Sequence, residues 1–556
     1  MNKEQLFKRF QTFYWRNDDI GMAMDISRMN FTDEFMIKNQ RRAERAILSM
    51  IKLEKGAIAN PTENRMVGHY WLRTPELAPD REITKSIKST VEEVKKFAES
   101  VHTQKIKSQN GLKFDNLLVI GIGGSILGPQ FVSNALGDVA TDKMRPYFID
   151  NTDPDGFDRI LKILGNQLDR TLAIVISKSG TTAETRNAMA EIEYAYSQKG
   201  LVFAKHAVAI TKMDESSKLF KKATEEGWLG IFPMWDWVGG RTSETSAVGL
   251  LPAALQGLNI DDLLWGASKC DEFTRGKDVR KNPAAMLALM WYYAGGGKGN
   301  KNMVILPYKD RLELFSRYLQ QLVMESLGKE TDLDGKVVNQ GITVYGNKGS
   351  TDQHAYIQQL RDGRNDFFVT FIEVLKDRAS GAFNLQADDL MKDLGEMPDV
   401  TSGDYLIGFY LGTRKALYEK GRESITITLT DVSAKTVGAL IALFERAVGL
   451  YANMIKINAY DQPGVEAGKK AAKEALILQH RILKFLREHV EQPYSLLEIA
   501  QGIITEEEKT KGIRPEDMLE EIYLICDHLA ANPERRIEKI SSMVLTATAF
   551  KALRYI

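Results

Sequence analysis

A chain of 556 residues is too long for one hydrophobic core of ordinary size, so about two to four domains are expected. Hydrophobic residues at 44% and charged residues at 27%, with 74 basic side chains against 74 acidic, describe a soluble globular protein; they exclude the basic surface of a nucleic-acid binder and the composition of a disordered acidic tail. Two cysteines, Cys270 and Cys526, without paired spacing, fit a reducing cytoplasm, and seven histidines in no ligand pattern give no reason to expect a catalytic metal.

The opening segment, MNKEQLFKRFQTFYWRNDD, mixes charges of both signs and lacks an apolar stretch followed by small residues, so it reads as neither a secretion signal nor a transit peptide. The first hundred residues read as mainly helical. Short apolar runs rich in branched residues follow: LLVIGI (117–122), TLAIVI (171–176), HAVAIT (206–211), MVILP (303–307), GITVYG (341–346), FFVTFIEV (367–374) and SITITL (424–429). Each is expected to be a buried strand. Amphipathic stretches such as TRNAMAEIEYAYSQ (185–198) lie between most of them, long enough for crossover helices, so the sheets should be parallel. The glycines of GGGKGNKN (295–302) divide the strands into two groups, which predicts two α/β domains in tandem. The longest uncharged stretch, Pro283 to Gly297, falls short of the roughly 18 residues of a membrane span. It starts as Asn-Pro and reads as a buried helix, and no membrane partner is expected. The last hundred residues read as mainly helical, without repeats.

The first strand runs into GIGGSILG (121–128). This is no dinucleotide fingerprint, because Ile126 stands where the third glycine would be, and no Gly-Lys-Ser/Thr marks a P-loop. A tight turn with exposed N–H groups remains, in which Ser125 either faces an anion or sugar hydroxyl or caps the next helix. The second strand delivers SKSGTTAET (177–185), where five hydroxyls and a lysine at a helix start suit a phosphate monoester. Thr181 and Glu184 also have the spacing of a capping box. Further on, RLELFSRYLQQLVMESLGK (311–329) puts Leu312, Phe315, Leu319, Leu322, Val323 and Ser326 on one helical stripe. Glu325 sits at its edge, one turn before Gly328, where the helix dipole disfavours an anion. A carboxylate so placed is a candidate proton acceptor.

Three more stretches complete a pattern: WVGGRTSETSAVGLLP (237–252), MESLGKE (324–330) and ANMIKINAYDQPGVEAGKK (452–470). With GIGGS and SKSGTT, and in the same order, they closely resemble the phosphoglucose isomerase family, and GGRTSE with AVGLLPAALQG is similar to its cyanobacterial and plastid branch. The resemblance implies an α/β fold of two tandem sugar-isomerase (SIS) domains with parallel sheets flanked by helices, at 81–290 and 291–490, between helical N- and C-terminal regions, 1–80 and 491–556. It implies interconversion of glucose 6-phosphate and fructose 6-phosphate through ring opening and a cis-enediol, without cofactor or metal, in a cytoplasmic homodimer with no nucleic-acid partner. Carried over by position, Gly124, Ser125, Ser177, Lys178, Ser179 and Thr182 would hold the sugar phosphate together with Gln462. Glu325 would be the base and Arg241 the cation at the enediolate. His354 would open the ring, contributed by the neighbouring subunit, with Lys469 assisting and Glu184 orienting the imidazole.

Two departures from the commoner pattern, Thr242 after Arg241 in place of an aromatic residue and Gly180 in place of a bulky one, raise a second reading, a dual glucose and mannose phosphate isomerase. A third, a non-catalytic SIS-fold sensor, would keep the two loops but has no reason to keep Glu325, His354, Arg241 and Lys469 together.

Overall fold

The computed structural model describes residues 2–378 and 400–554. By packing, the chain forms two compact units, Met1–Asp461 and Gln462–Ile556, so both expected α/β domains share the first unit up to residue 461.

The first sheet of that unit has five parallel strands, ordered Arg145–Ile149, Asn116–Ile120, Thr171–Ile176, Ala207–Thr211 and Gly230–Pro233. Helices cover both faces, which is why the central strands are apolar at nearly every position rather than at alternate ones; Leu117, Leu118, Val119 and Ile120 are all fully buried. The chain starts at Asn116–Ile120, steps to one side for Arg145–Ile149, then returns to the other side for Thr171–Ile176. The order therefore reverses between the strands that lead into GIGGS and SKSGTT. A crevice opens at such a reversal outside the carboxyl ends of the strands, because the two crossovers leave in opposite directions.

The second sheet repeats the plan around Asn302–Pro307, with Val344–Tyr345 on one side and Phe367–Val374, then Ser424–Leu429, on the other, all parallel. It differs from the expected sheet at its far edge. There the N-terminal hairpin, Tyr14–Asn17 and Met22–Arg28, adds two antiparallel strands. The N-terminal region thus has its expected helices, Lys3–Phe13 and Asp33–Glu54, and strands as well. Asp25 and Ser27 hide the strand Met22–Arg28 from an apolar pattern, although both are buried there and Asp25 is paired with Arg414. Strands Arg145–Ile149 and Gly230–Pro233 are likewise too short or too polar to stand out.

Between the sheets' helices runs Ala434–Ile455, long and apolar enough by composition to cross a membrane, yet 89% of its most apolar window is buried in the protein. It carries Glu445 and Arg446 into a largely buried cluster of six charges. Arg73 makes a two-pronged bond to Asp271, at 2.6 and 3.0 Å, and bonds Glu445. Arg446 reaches Asp271 at 2.8 Å and Glu54, and Arg275 closes the set on Glu54 at 3.0 Å. The side chains of Arg73, Asp271 and Glu445 are wholly buried. Burial alone would raise the Asp271 pKa; Arg446 and Arg73 overrule it and hold it at about 2. The six side chains come from the N-terminal region and from both α/β halves, so the cluster ties together parts of the chain nearly 400 residues apart.

The second unit has its own core of Leu478, Ile482, Leu486, Ile499, Ile522, Cys526 and Phe550. Helix Pro463–Glu488 packs there with Leu496–Ile503 and Leu519–Ala531, and a three-stranded antiparallel sheet, Tyr494–Ser495, Ala549–Ala552 and Ile537–Ile540, joins the expected helices.

Arg73→Met leaves Asp271 buried with Arg446 as its close partner and Glu445 buried without its bonded cation. The expected cost is about 3–5 kcal/mol, read as a fall in the midpoint of chemical denaturation; a midpoint within error of wild type would show that the cluster contributes nothing.

Candidate functional site

Four loops meet at the carboxyl edge of the first sheet. Backbone fit joins the first two. Gly124 of GIGGS lies so close to Gly240 that a Cβ there would stand 2.1 Å from its carbonyl, and Ser243 Oγ donates to the carbonyls of Gly240 at 2.6 Å and Gly124 at 3.3 Å. Gly123 has φ +57° and carries the side chain of Gln321 against it. Ser125 does not cap its helix: Leu127–Leu136 begins after Ile126 without a side-chain cap, so the Ser125 hydroxyl remains at the mouth of the turn. The third loop is tied to the second by Lys178, whose ammonium donates to the carbonyls of Asp236 at 3.3 Å and Val238 at 3.5 Å and pairs with the Asp236 carboxylate at 3.4 Å. Burial lowers the Lys178 pKa and Asp236 opposes it.

Within SKSGTT the hydroxyls face one another at the start of helix Ala183–Gln198. Ser177 Oγ accepts from the Gly180 N–H at 3.1 Å and donates to Thr182 Oγ1 at 3.4 Å, while Ser179 and Thr181 share a bond of 2.7 Å. Thr182, not Thr181, precedes the helix, so Glu184 lies in its first turn outside any capping box. Gly180 has φ +67° and packs on the Leu219 backbone, with a Cβ placed 2.3 Å from its nitrogen. Its small size here is a backbone requirement. Thr242 is buried, with its hydroxyl on the Gly239 carbonyl at 3.2 Å. Two residues on, the fully buried Glu244 fills space that Gly128 and Gly249 leave, where Cβ atoms would stand 2.2 and 2.5 Å from its carboxyl oxygens. Burial and the neighbouring Glu445 push its pKa well up, which keeps it a neutral acid.

The fourth segment carries Glu325. Its apolar stripe is buried as expected, but the helix is not uniformly α: Phe315–Leu319 gives way to a π turn over Gln320–Glu325. Such turns cluster at functional sites because the extra residue re-aims the side chains that follow. Here Glu325 and Ser326 both meet Arg241. Its guanidinium, 6% exposed, lies 3.4 Å from Glu325 Oε2 and donates through Nε to Ser326 Oγ at 2.7 Å. Through Nη2 it reaches the carbonyls of Ala459 at 2.6 Å and Asp461 at 2.9 Å. Burial lowers the pKa of Arg241 and Glu325 and Asp461 oppose it. The Arg241 charge therefore answers the helix dipole that disfavours Glu325. Lys329 helps from the other side, donating to the Glu325 carbonyl at 2.7 Å as a helix C-terminus favours.

The segment Ala459–Asp461 is in turn held by the N-terminal region. Asn458 bonds Asn60 at 3.0 Å and Thr62 at 3.1 Å, and Thr62 donates to the Asp461 carboxylate at 2.7 Å.

The structure thus brings Gly124, Ser125, Ser177, Lys178, Ser179 and Thr182 to one edge with Arg241 and Glu325. His354 is different. It is exposed, on a turn Thr351–His354 that Asp352 fixes through the Asn347 N–H at 2.9 Å, and it makes no bond to Glu184 among the described residues. Gln462 and Lys469 belong to the second unit, Gln462 preceding helix Pro463–Glu488 and Lys469 exposed on it. Sequence reasoning missed Lys329 and Asp461. Lys329 stands four residues after Glu325, a spacing ordinarily given to a solvated ion pair on a helix surface.

Comparison with known proteins gives the family. The profile of the family "Phosphoglucose isomerase" matches residues 25–484. Glucose-6-phosphate isomerase of Geotalea daltonii is 56% identical over 537 residues, 97% of each chain, and that of Nostoc punctiforme 55% over 534 residues, 96% of each. Among solved structures, a glucose-6-phosphate isomerase from Chlamydia trachomatis superposes with a TM-score of 0.73 at 25% identity, over 84% of this chain and 90% of that one.

Gly124→Ala should force the first two loops apart. A loss of about 1–3 kcal/mol is expected in thermal unfolding, as for overpacking elsewhere, and an unchanged melting temperature would contradict the contact.

Proposed function

The chain belongs to the phosphoglucose isomerase family and interconverts glucose 6-phosphate and fructose 6-phosphate, and we propose that it does so in the crevice between the reversal point of the first sheet and the Glu325 helix. The observation that carries this reading is the pairing of the buried Arg241 with the half-buried Glu325, 3.4 Å apart. A carboxylate that is partly open to the crevice can take a proton; a guanidinium that keeps its own can stabilise the charge that results.

The phosphate binds at SKSGTT, where Ser177, Ser179 and Thr182, the N–H groups of the helix start and the Lys178 ammonium present donors to separate oxygens, with Gly124 and Ser125 at the other lip. With the sugar chain open, Glu325 removes the proton from C2. The electron pair left behind forms the C1–C2 double bond, and the carbonyl electrons move onto O1, where Arg241 balances them. Glu325 returns its proton to C1 on the same face, the O2 hydroxyl proton passes to O1, and the carbonyl now stands at C2. No electron leaves the sugar, so the chemistry calls for no redox cofactor.

Ring opening needs a proton at the ring oxygen, and an imidazole such as that of His354 can deliver one as a general acid. We assign His354 to the site of a second copy in a homodimer, with Glu184 orienting its ring. Its exposure on a turn pinned by Asp352 supports the assignment. The free cysteines Cys270 and Cys526 support a cytoplasmic setting.

Purified protein should convert fructose 6-phosphate to glucose 6-phosphate without added metal, followed by a coupled dehydrogenase. Glu325→Gln should lower kcat by roughly 1,000-fold or more while sugar-phosphate binding survives. Retention of most of the rate would remove Glu325 as the base. Mixing inactive His354→Gln and Glu325→Gln variants and exchanging their subunits should restore roughly a quarter of wild-type activity, since half the dimers then carry one intact site. No recovery would place His354 within its own subunit's site.

A further inference from the structure

The Glu325 segment holds one charge that neither phosphate binding nor proton transfer uses. Lys329 is 7% exposed, and its ammonium donates to the Glu325 carbonyl at 2.7 Å and the Asp461 carbonyl at 3.1 Å, and lies 3.5 Å from Asp461 Oδ1. Asp461 is shared. Its carbonyl also accepts from Arg241 at 2.9 Å, and its carboxylate accepts from Thr62 at 2.7 Å. Two cations, Arg241 and Lys329, thus face two carboxylates, Glu325 and Asp461, with none of the four side chains more than 19% exposed.

We propose that Lys329 is a positioning residue for the isomerisation: its ammonium neutralises Asp461, so that the charge of Arg241 stays available to the enediolate. The inference rests on the reading in which Glu325 is the base and Arg241 the cation that meets the enediolate. In the resting site the four charges cancel. When Glu325 takes the C2 proton it becomes neutral, and the negative charge moves to O1 of the sugar. Arg241, Lys329 and Asp461 then sum to one positive charge, which matches it. With Lys329 uncharged, the sum is zero, and the Asp461 carboxylate competes with the substrate for Arg241. A carboxylate as poorly solvated as Asp461 competes strongly.

The groups that face Lys329 set when it loses its proton. Burial acts first and lowers its pKa, Arg241 lowers it further, and Asp461 and Glu325 resist, with the result at about 8. The ammonium is therefore present below that pH and lost as pH rises through it. The rate should fall on the alkaline side for this reason.

The test compares kcat against pH for wild type, Lys329→Arg, Lys329→Met, Asp461→Asn and the Lys329→Met/Asp461→Asn pair. Wild type should lose rate as pH passes about 8, whereas Lys329→Arg should keep its rate there, because a guanidinium stays charged. Lys329→Met should lower kcat at least about tenfold with KM within about twofold, and adding Asp461→Asn should recover part of that loss. A purely structural role would leave the alkaline limb of Lys329→Arg where it stands in wild type. An alkaline limb unmoved in Lys329→Arg, or a double variant no faster than Lys329→Met, overturns the inference. If Lys329→Met does not fold, the position of the limb in Lys329→Arg decides alone. An inactive wild type, or a Glu325→Gln variant at full rate, would instead sink the underlying reading.

Discussion

A guanidinium taken out of water must be satisfied on every side, and Arg241 shows what that requires of a chain. Its partners include Glu325 and Ser326 from one stretch and the carbonyls of Ala459 and Asp461 from another, up to 220 residues away. None of those atoms serves unless its own segment is held. The π turn aims Glu325 and Ser326, Lys329 ends that helix, and Asn60 and Thr62 hold the segment around Asp461. Each group that meets Arg241 is thus itself held by another part of the chain.

The two sheets explain where such a guanidinium can be placed. In each, the chain begins in the middle and fills first one side, then the other, so each has a crevice at its carboxyl edge. The crevice of the first sheet receives the two loops of small residues. The segment after the central strand of the second sheet supplies Glu325, and the turn after its neighbour Val344–Tyr345 carries His354. Loops of glycine and hydroxyl residues suit the first position because their backbones must approach within contact of one another, as Gly124 does at Gly240 and Gly180 at Leu219. The second sheet supplies Glu325, which the π turn aims at Arg241.

The six-charge cluster of Glu54, Arg73, Asp271, Arg275, Glu445 and Arg446 has a different effect. Well-packed apolar side chains could have filled the same space at no less stability. Its bonds are directional, however, and they fix which helices meet and in what register, joining the N-terminal region to both α/β halves. That region also bonds the segment before Asp461, so the cluster and the site share a support.

Much of this was legible in the residues alone. Runs such as TLAIVI and FFVTFIEV are strands over the expected spans because a strand covered on both faces must be apolar throughout. The glycine and hydroxyl loops announced themselves by composition, and the order of five motifs identified the family. Other features left no local trace. Met22–Arg28 is a strand because Ser424–Leu429 offers it an open edge, and its buried Asp25 is acceptable only because Arg414 is there to pair with it. Glu325 looked like an acid at the wrong end of a helix until the fold brought Arg241 to it. Lys329 looked like a surface charge until the fold buried it beside Asp461. The sequence by itself determined which segments would be strands and which residue types could do the chemistry, since both follow from local composition and spacing. Tertiary structure alone decided which charges would meet out of water, because the energy of a buried charge depends on partners hundreds of residues away and on nothing in its own neighbourhood of the chain.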